Sequence, residues 1–371
     1  MNLLVKDKCF YKKMAVIAIP ISLQSMITIG VNMTDTVMVG KLGENSLSAT
    51  ALANQFVNIY QICCMGIAMG ASVLTSRFWG MQDITSLKKT ITLMLRLCIV
   101  LAVLFMLPTI LIPQLLMRMY TNDSAVIAQG VQYFKWMVYC YFLQGMTMTC
   151  TIVLRSVGQV NFPLFTSIGS FFVNILFNYM FIFGKLGVPR MEVEGAGVGT
   201  LIARVFEFSL ICGYFLFVDR KIGYRLKDLR MKCNSLIKDY VSISIPVFVS
   251  DSLLALGTSA VAMVMGRIGT GFVSANSITV VTQQLTTVII QGICHASCIM
   301  TGHTLGHGER EKAQQQAWTF LILGLVVGIL GGALIKVLSR SIIGLYNITP
   351  ETAQIAGELM DAIAFIVIFQ S

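Results

Sequence analysis

Charge is what this chain has least of. Charged residues fill 12% of its 371 positions, against about a quarter in an ordinary soluble domain. That shortfall excludes the usual solvated globular surface. Catalytic signatures are missing too: there is no GxxxxGK[ST], HExxH or GxSxG run. Nothing therefore supports ATP hydrolysis, zinc proteolysis or serine hydrolysis, and an enzyme is not expected. The ten cysteines are scattered and include no C-x-x-C pair, so they read as small apolar residues rather than a redox or metal site. Of His295, His303 and His307 only the last two stand at i and i+4, and the three make a poor metal set. No metal and no cofactor are expected beyond a coupling ion. The N-terminus has no small-residue cleavage site, and its apolar run is too long for the h-region of a cleavable signal.

Apolar residues, at 56%, come instead in long blocks. A bilayer core needs roughly 20 apolar residues per helix. Ten such blocks lie near 14–38, 50–76, 90–115, 125–150, 162–184, 196–218, 240–265, 273–300, 315–338 and 351–371. Runs of this length suit helices that satisfy their own backbone in lipid, not barrel strands. The expected class is an all-α polytopic membrane protein.

The chain also repeats itself. Pro20 pairs with Pro246, Gly40 with Gly266, Gly43 with Gly269, Gly66 with Gly292 and Gly80 with Gly306, always 226 residues apart. Glycine and proline have backbone roles that other residues fill badly, so they are what an old duplication keeps. Two equivalent halves of a membrane protein suggest a transporter. The polar stretch 219–239 separates them. Six blocks precede it, an even number, so the second half enters the membrane in the same orientation as the first. The expected organisation is two parallel-repeat lobes: an N-lobe over 1–218 with helices 1–6, a cytoplasmic linker over 219–239 that can include a short surface helix, and a C-lobe over 240–371 with helices 7–10. By the repeat, Ser371 is the counterpart of Gly145. The second lobe is thus expected to be incomplete, with about four helices, as in a fragment or a truncated product.

Net charge is +10. With a cytoplasmic N-terminus, 17 Lys and Arg fall on inner segments and 7 on outer ones, as the positive-inside rule requires. Arg96, Lys135 and Arg204 remain within or near helices. The basic charge is topological, so nucleic-acid binding is not expected. The location implied is the cell membrane, inner or plasma.

Polar residues inside apolar blocks mark candidate sites. Asp35 lies in the first block, with Asn32 and Thr28 one and two turns away on its face. It reads as a carboxylate facing a watery cavity or a partner, or as one reaching headgroups near the helix end. Asn174 and Asn178 stand at i and i+4 in FFVNILFNYMFIFG. They read as interhelical hydrogen-bonding amides, or as oxygens that join Asp35 in holding a cation or a proton-linked water. Asp251, whose counterpart is Ser25, is a candidate for substrate contact or a second ion site, or belongs to a Ser–Asp–Ser cluster. Asp361 is open to either a structural or a functional reading. Gly66-x-x-x-Gly70 reads as close helix packing.

AIPISLQSMITIGVNMTDTVMVGKLGENSLSATALANQF resembles the first helix and following loop of the multidrug and toxic compound extrusion (MATE) family. ASVLTSRFWGMQD, LRSVGQVNFP, FFVNILFNYMFIFGKLG and VEGAGVGT follow in family order, as do SIPVFV, GRIGTGFVSANSI and TGHTLGHGEREKA. The resemblance covers essentially the whole chain. It implies a two-lobe secondary antiporter that exports organic cations, drugs or other amphipathic compounds in exchange for sodium ions or protons. It implies that Asp35, Asn174, Asn178 and Thr200 form a cation-coupling site. Some relatives carry aspartate where this chain has Asn178, which leaves one titratable group fewer. Relatives with a C-lobe ion site have glutamate where Leu254 stands here; Asp251 is one turn away. The partners implied are small amphipathic or cationic molecules and the lipid bilayer, with a monomer expected. A lipid-linked saccharide flippase of the same superfamily and an inactive truncated remnant are the alternatives.

Overall fold

The computed structural model describes residues 4–268, 270–343 and 350–369. Among them there are helices and no strand. They run α1 (Lys8–Gly40), α2 (Glu44–Gly80), α3 (Ile84–Leu111), a short α4 (Pro113–Arg118), α5 (Ser124–Ser156), α6 (Asn161–Phe183), α7 (Glu192–Gly213), α8 (Asn234–Ile268), α9 (Thr270–Gly306), α10 (Arg310–Ile343) and α11 (Pro350–Phe369). Nine of the ten apolar blocks fall within or largely within one long helix each, and the block over 90–115 is split between α3 and α4. Eight helices, among the described residues, are long and apolar enough to cross a bilayer. Their outer faces keep large apolar side chains exposed, such as Leu111, Phe165 and Val337, which is where lipid replaces water.

One block is broken where the sequence reading ran it through. The block expected over 90–115 ends as a helix at Leu111, and α4 restarts at Pro113. Proline disfavours helical geometry at the residue before it and suits a helix start. Ile112 accordingly leaves the helical region, with φ −135° and ψ 45°.

The duplication is visible in the element boundaries. α1 starts at Lys8 and α8 at Asn234, α3 at Ile84 and α10 at Arg310, while α2 ends at Gly80 and α9 at Gly306. Each pair is 226 residues apart. Asp83 caps α3 by accepting the Ser86 amide at 3.0 Å, and its repeat partner Glu309 holds the equivalent place before α10. Those Ser86 hydrogen bonds keep the Asp83 carboxyl below its ordinary range.

Packing groups the chain into two bodies, Ile27–Asp251 on the one hand and Met1–Met26 with Ser252–Ser371 on the other. The division falls within α1 and within α8 at positions one residue from equivalence. In the first body, the early turns of α8 lie on α2: a Cβ at Gly66 would sit 2.8 Å from Phe248 Cδ2, and one at Gly70 2.6 Å from Ser244 Cα. In the second, the early turns of α1 lie on α9: a Cβ at Gly292 would sit 2.7 Å from the Ala18 carbonyl oxygen. These are close approaches that glycine alone permits. Phe10 of α1 also packs on Phe320 of α10, with ring centroids 5.3 Å apart.

The core of Ile27–Asp251 has two parts. One joins Ile91 and Met94 of α3 to Val153 and Leu154 of α5 and to Phe215, Tyr224 and Tyr240. The other gathers Tyr60, Phe134 and Tyr141 around α2 and α5. Tyr224 belongs to the polar stretch after α7, so that stretch is no loose tether. Lys88 Nζ donates to Asp228 Oδ2 at 2.9 Å and to the Gly223 carbonyl at 2.7 Å. Arg96 donates to the carbonyls of Leu229 and Met231 at 2.6 and 3.0 Å. The expected short surface helix is one tight turn, Leu226–Arg230, and α8 begins already at Asn234 rather than near 240. Burial pushes the Asp228 carboxyl up, but the hydrogen bonds from Lys88 and the Arg225 amide outweigh it and leave the group below its usual value.

Candidate functional site

The last turns of α1 carry Asp35 toward α6 and α7. Asn178 Nδ2 donates to Asp35 Oδ1 at 2.6 Å and reaches Asn174 Oδ1 at 3.3 Å. Two amides four residues apart on one helix thus line up behind a carboxylate on another. Asn174 and Asn178 are fully buried, at 2% and 0% exposure. Asn178 is the deeper of the two: its own Oδ1 has no partner, and it backs directly onto α7. That close approach explains Gly199 in VEGAGVGT. A Cβ there would meet the Asn178 side chain and lie 2.8 Å from its backbone nitrogen.

In front of this trio opens a cavity of about 280 Å³, lined by Asp35, Asn174 and Thr200 and, one and two turns along α1, by Asn32 and Thr28. All belong to Ile27–Asp251. The cavity therefore gathers three of the four residues that the resemblance pointed to, Asp35, Asn174 and Thr200, and Asn178 stands behind it with its amide on Asp35. The oxygens of Asp35, Asn174 and Thr200 are hard donors suited to sodium or to a proton-linked water. Asp251 lies within α8, and its side chain is outside the described residues. Asp361 is exposed and faces Lys336 at 3.7 Å.

Further residues that the sequence reading did not assign to the cavity also line it, four of them in side-chain pairs. Tyr133 Oη donates to Asn54 Oδ1 at 3.2 Å, both at the cavity wall. Arg204 and Glu207 also line it, joined by a 2.8 Å Nη1–Oε2 ion pair, with Arg204 in electrostatic reach of Asp35. The signal for the last two was present: opposite charges at i and i+3 in an apolar helix. Arg96 and Lys135 are held elsewhere, Arg96 by the carbonyls of Leu229 and Met231 and Lys135 by Glu194 at 3.4 Å. Among the described residues, no group of three His, Cys, Asp or Glu is placed to hold a metal ion.

A duplicated set of membrane-crossing helices, with a carboxylate and amides buried against a polar cavity in one half, defines a polytopic membrane transporter. The MatE family profile matches residues 20–180 and 246–371. The chain belongs to the MatE family. Among its relatives, the uncharacterized transporter YisQ of Bacillus subtilis is 24% identical over 348 residues, covering 92% of this chain and 75% of that one. The probable multidrug resistance protein NorM of Agrobacterium fabrum is 23% identical over 334 residues, covering 87% and 70%. The fold is shared with a variant of the Vibrio cholerae MATE transporter VcmN, at TM-score 0.87 and 17% identity over 97% of this chain and 81% of that one. It is shared equally with a MOP superfamily transporter from Pyrococcus furiosus, at TM-score 0.85 and 20% identity over 96% and 79%.

Proposed function

We propose that this protein is a secondary antiporter that exports organic cations, drugs or other amphipathic compounds in exchange for sodium ions or protons. The observation that carries this reading is the Asn178–Asp35 hydrogen bond beside the cavity. A carboxylate in a membrane helix costs up to about 2.5–3.5 kcal/mol on insertion scales, most at the helix centre, and Asp35 is supplied with a donor and an opening. Asp35 takes the coupling cation with Asn174 and Thr200, and Asn178 holds its carboxylate in place. The multidrug naming of its NorM relatives supports the substrate class.

Export follows from alternating access of two lobes, 1–218 and 240–371, joined by the strap over 219–239. Cation binding at Asp35 favours one state and substrate the other, each by no more than its difference in affinity for the two. The protein works as a monomer in the cell membrane with its N-terminus cytoplasmic. A saccharide flippase would need several cations gathered for a pyrophosphate, and of Arg96, Lys135 and Arg204 only Arg204 lines this cavity. Ethidium efflux from cells expressing the chain tests the proposal: accumulation should fall with the wild type and not with Asp35→Asn. Absence of efflux from the wild type would favour an inactive protein.

A further inference from the structure

The body formed by Met1–Met26 and Ser252–Ser371 holds an opening of its own, larger than the cavity beside Asp35. A basin of about 1250 Å³ lies where the start of α1, the end of α9 and the start of α10 meet. All three helices are long and apolar enough to cross a bilayer, so their shared end places the basin at a membrane surface. Its floor includes Phe10 and Met300, both buried and apolar. Its volume exceeds the roughly 300–1,000 Å³ of a small-molecule pocket.

The walls of the basin are fixed. The residues before α1 are bonded to α10 rather than trailing from it: the Val5 amide donates to Thr319 Oγ1 at 3.0 Å, and Gln315 Nε2 donates to the Leu4 carbonyl at 3.1 Å. The Tyr11 hydroxyl donates to the Val5 carbonyl at 2.9 Å and holds the same segment from the other side. Chain segments more than 300 residues apart thus form two walls of one hollow.

Cations outnumber carboxylates in the lining, four to three. Two of the carboxylates are engaged. Asp7 Oδ1 accepts the Cys9 amide at 2.9 Å where α1 begins, and Glu309 holds Lys312 at 2.9 Å. Lys6, Lys13 and Arg310 make no ion pair among the described residues, and Glu311 is the remaining carboxylate. The positive-inside rule explains how many basic residues lie at such a surface, but not why these three surround one hollow. The cluster is not a relic of the duplication either, since Lys13 and Arg310 correspond to Asp239 and Ile84 in the first half.

A cationic rim over an apolar floor, at the ends of membrane helices, matches one ligand chemistry. A phospholipid presents a phosphate at that depth with an acyl chain beneath it, and basic pockets between membrane helices are where such headgroups bind. A soluble phosphate would meet the cations but leave Phe10 and Met300 against water. We propose that this basin binds an anionic phospholipid, its phosphate held by Lys6, Lys13 and Arg310 and the top of an acyl chain lying over Phe10 and Met300. The proposal stands apart from the transport reading, because neither Asp35 nor the exported compound enters it.

Native mass spectrometry of the purified protein in a neutral detergent measures the affinity of the first bound lipid. Phosphatidylglycerol should bind more tightly than phosphatidylcholine, whose headgroup has no net charge. Each cation beside an anionic lipid contributes about fivefold in affinity. Lys6→Gln with Lys13→Gln should therefore weaken phosphatidylglycerol binding about 25-fold, and adding Arg310→Gln should bring the loss to on the order of 100-fold. Lys8→Gln with Lys12→Gln removes the same charge from exposed residues of α1 that do not line the basin, and should weaken it by no more than about twofold. Lys6→Arg with Lys13→Arg keeps both charges and should retain binding, which separates a lost ligand group from a lost fold. Equal losses in the two double glutamine variants would overturn the proposal in favour of general attraction to a basic surface. Equal affinity for the two lipids would overturn it as well. Inorganic pyrophosphate that displaces phosphatidylglycerol at comparable affinity would overturn the lipid assignment in favour of a soluble phosphate.

Discussion

Gly66 of α2 lies against Phe248 of α8, and their repeat counterparts, Gly292 of α9 and Ser22 of α1, make the same contact in the other body. The ancestral duplication thus preserved a packing contact, not merely a set of residues. In both places the helix that follows the first loop of its own half receives the early turns of the other half's first helix.

Gly70→Ala should lower stability in detergent by about 1–3 kcal/mol, the usual cost of overpacking, because the new Cβ would lie 2.6 Å from Ser244 Cα. Gly213→Ala is the control, since nothing lies within 4 Å of a Cβ there. That variant should be neutral or gain up to about 1 kcal/mol from helix propensity. Thermal unfolding of the two purified variants checks the difference. Equal shifts would contradict the close approach of α2 and α8.

Gly199→Ala should mimic Asn178→Ala in function although it removes no polar group. Both displace the amide that donates to Asp35 at 2.6 Å. A hydrogen bond to a charged group contributes about 1.5–3 kcal/mol, so cation affinity should change by about 10- to 100-fold in each, and in the same direction in both. Cation titrations of substrate release from the purified protein measure this. Wild-type affinity in Gly199→Ala would show that Asn178 does not position Asp35.

Asp228→Asn should loosen the strap. The Lys88–Asp228 pair is about four-fifths buried, at 21% and 23% side-chain exposure, and its loss should cost on the order of 1 kcal/mol. The Asp228 carboxyl titrates below its ordinary value when folded. Its contribution is therefore fully present above the unfolded value near 3.8 and is lost as the pH falls through the lower folded one. Limited proteolysis between Arg220 and Arg230 should be faster in Asp228→Asn at neutral pH. The two proteins should converge only when acidified below the usual carboxylate range. A difference that persists unchanged in acid would exclude the ion pair as its cause.

Much of this architecture was legible in the residues, for reasons of scale. A membrane helix needs some twenty apolar positions, so its signal is long, and paired glycines mark backbone constraints that a duplication retains. Asp35, Asn174 and Asn178 stood out because polar groups in apolar helices are expensive. What was not legible depends on neighbours distant in sequence. The part of the strap that precedes α8, 219–233, is polar in composition, and only the fold brings Tyr224 under α3 and Asp228 to Lys88. The charges of Arg204 and Glu207 in an apolar helix were a signal, but only the fold shows that α7 turns both toward the cavity. Proline at 113 interrupted a helix whose hydropathy continued unbroken.

The central claim is that Asp35 couples cation entry to export, and the direct measurement is substrate efflux driven by an imposed gradient. Cells expressing wild type or Asp35→Asn at equal membrane abundance are loaded with ethidium and given an inward sodium or proton gradient. Wild type should extrude ethidium faster when one of the two gradients is applied, and Asp35→Asn should show no gradient-driven extrusion. Extrusion by Asp35→Asn at the wild-type rate would contradict the assignment.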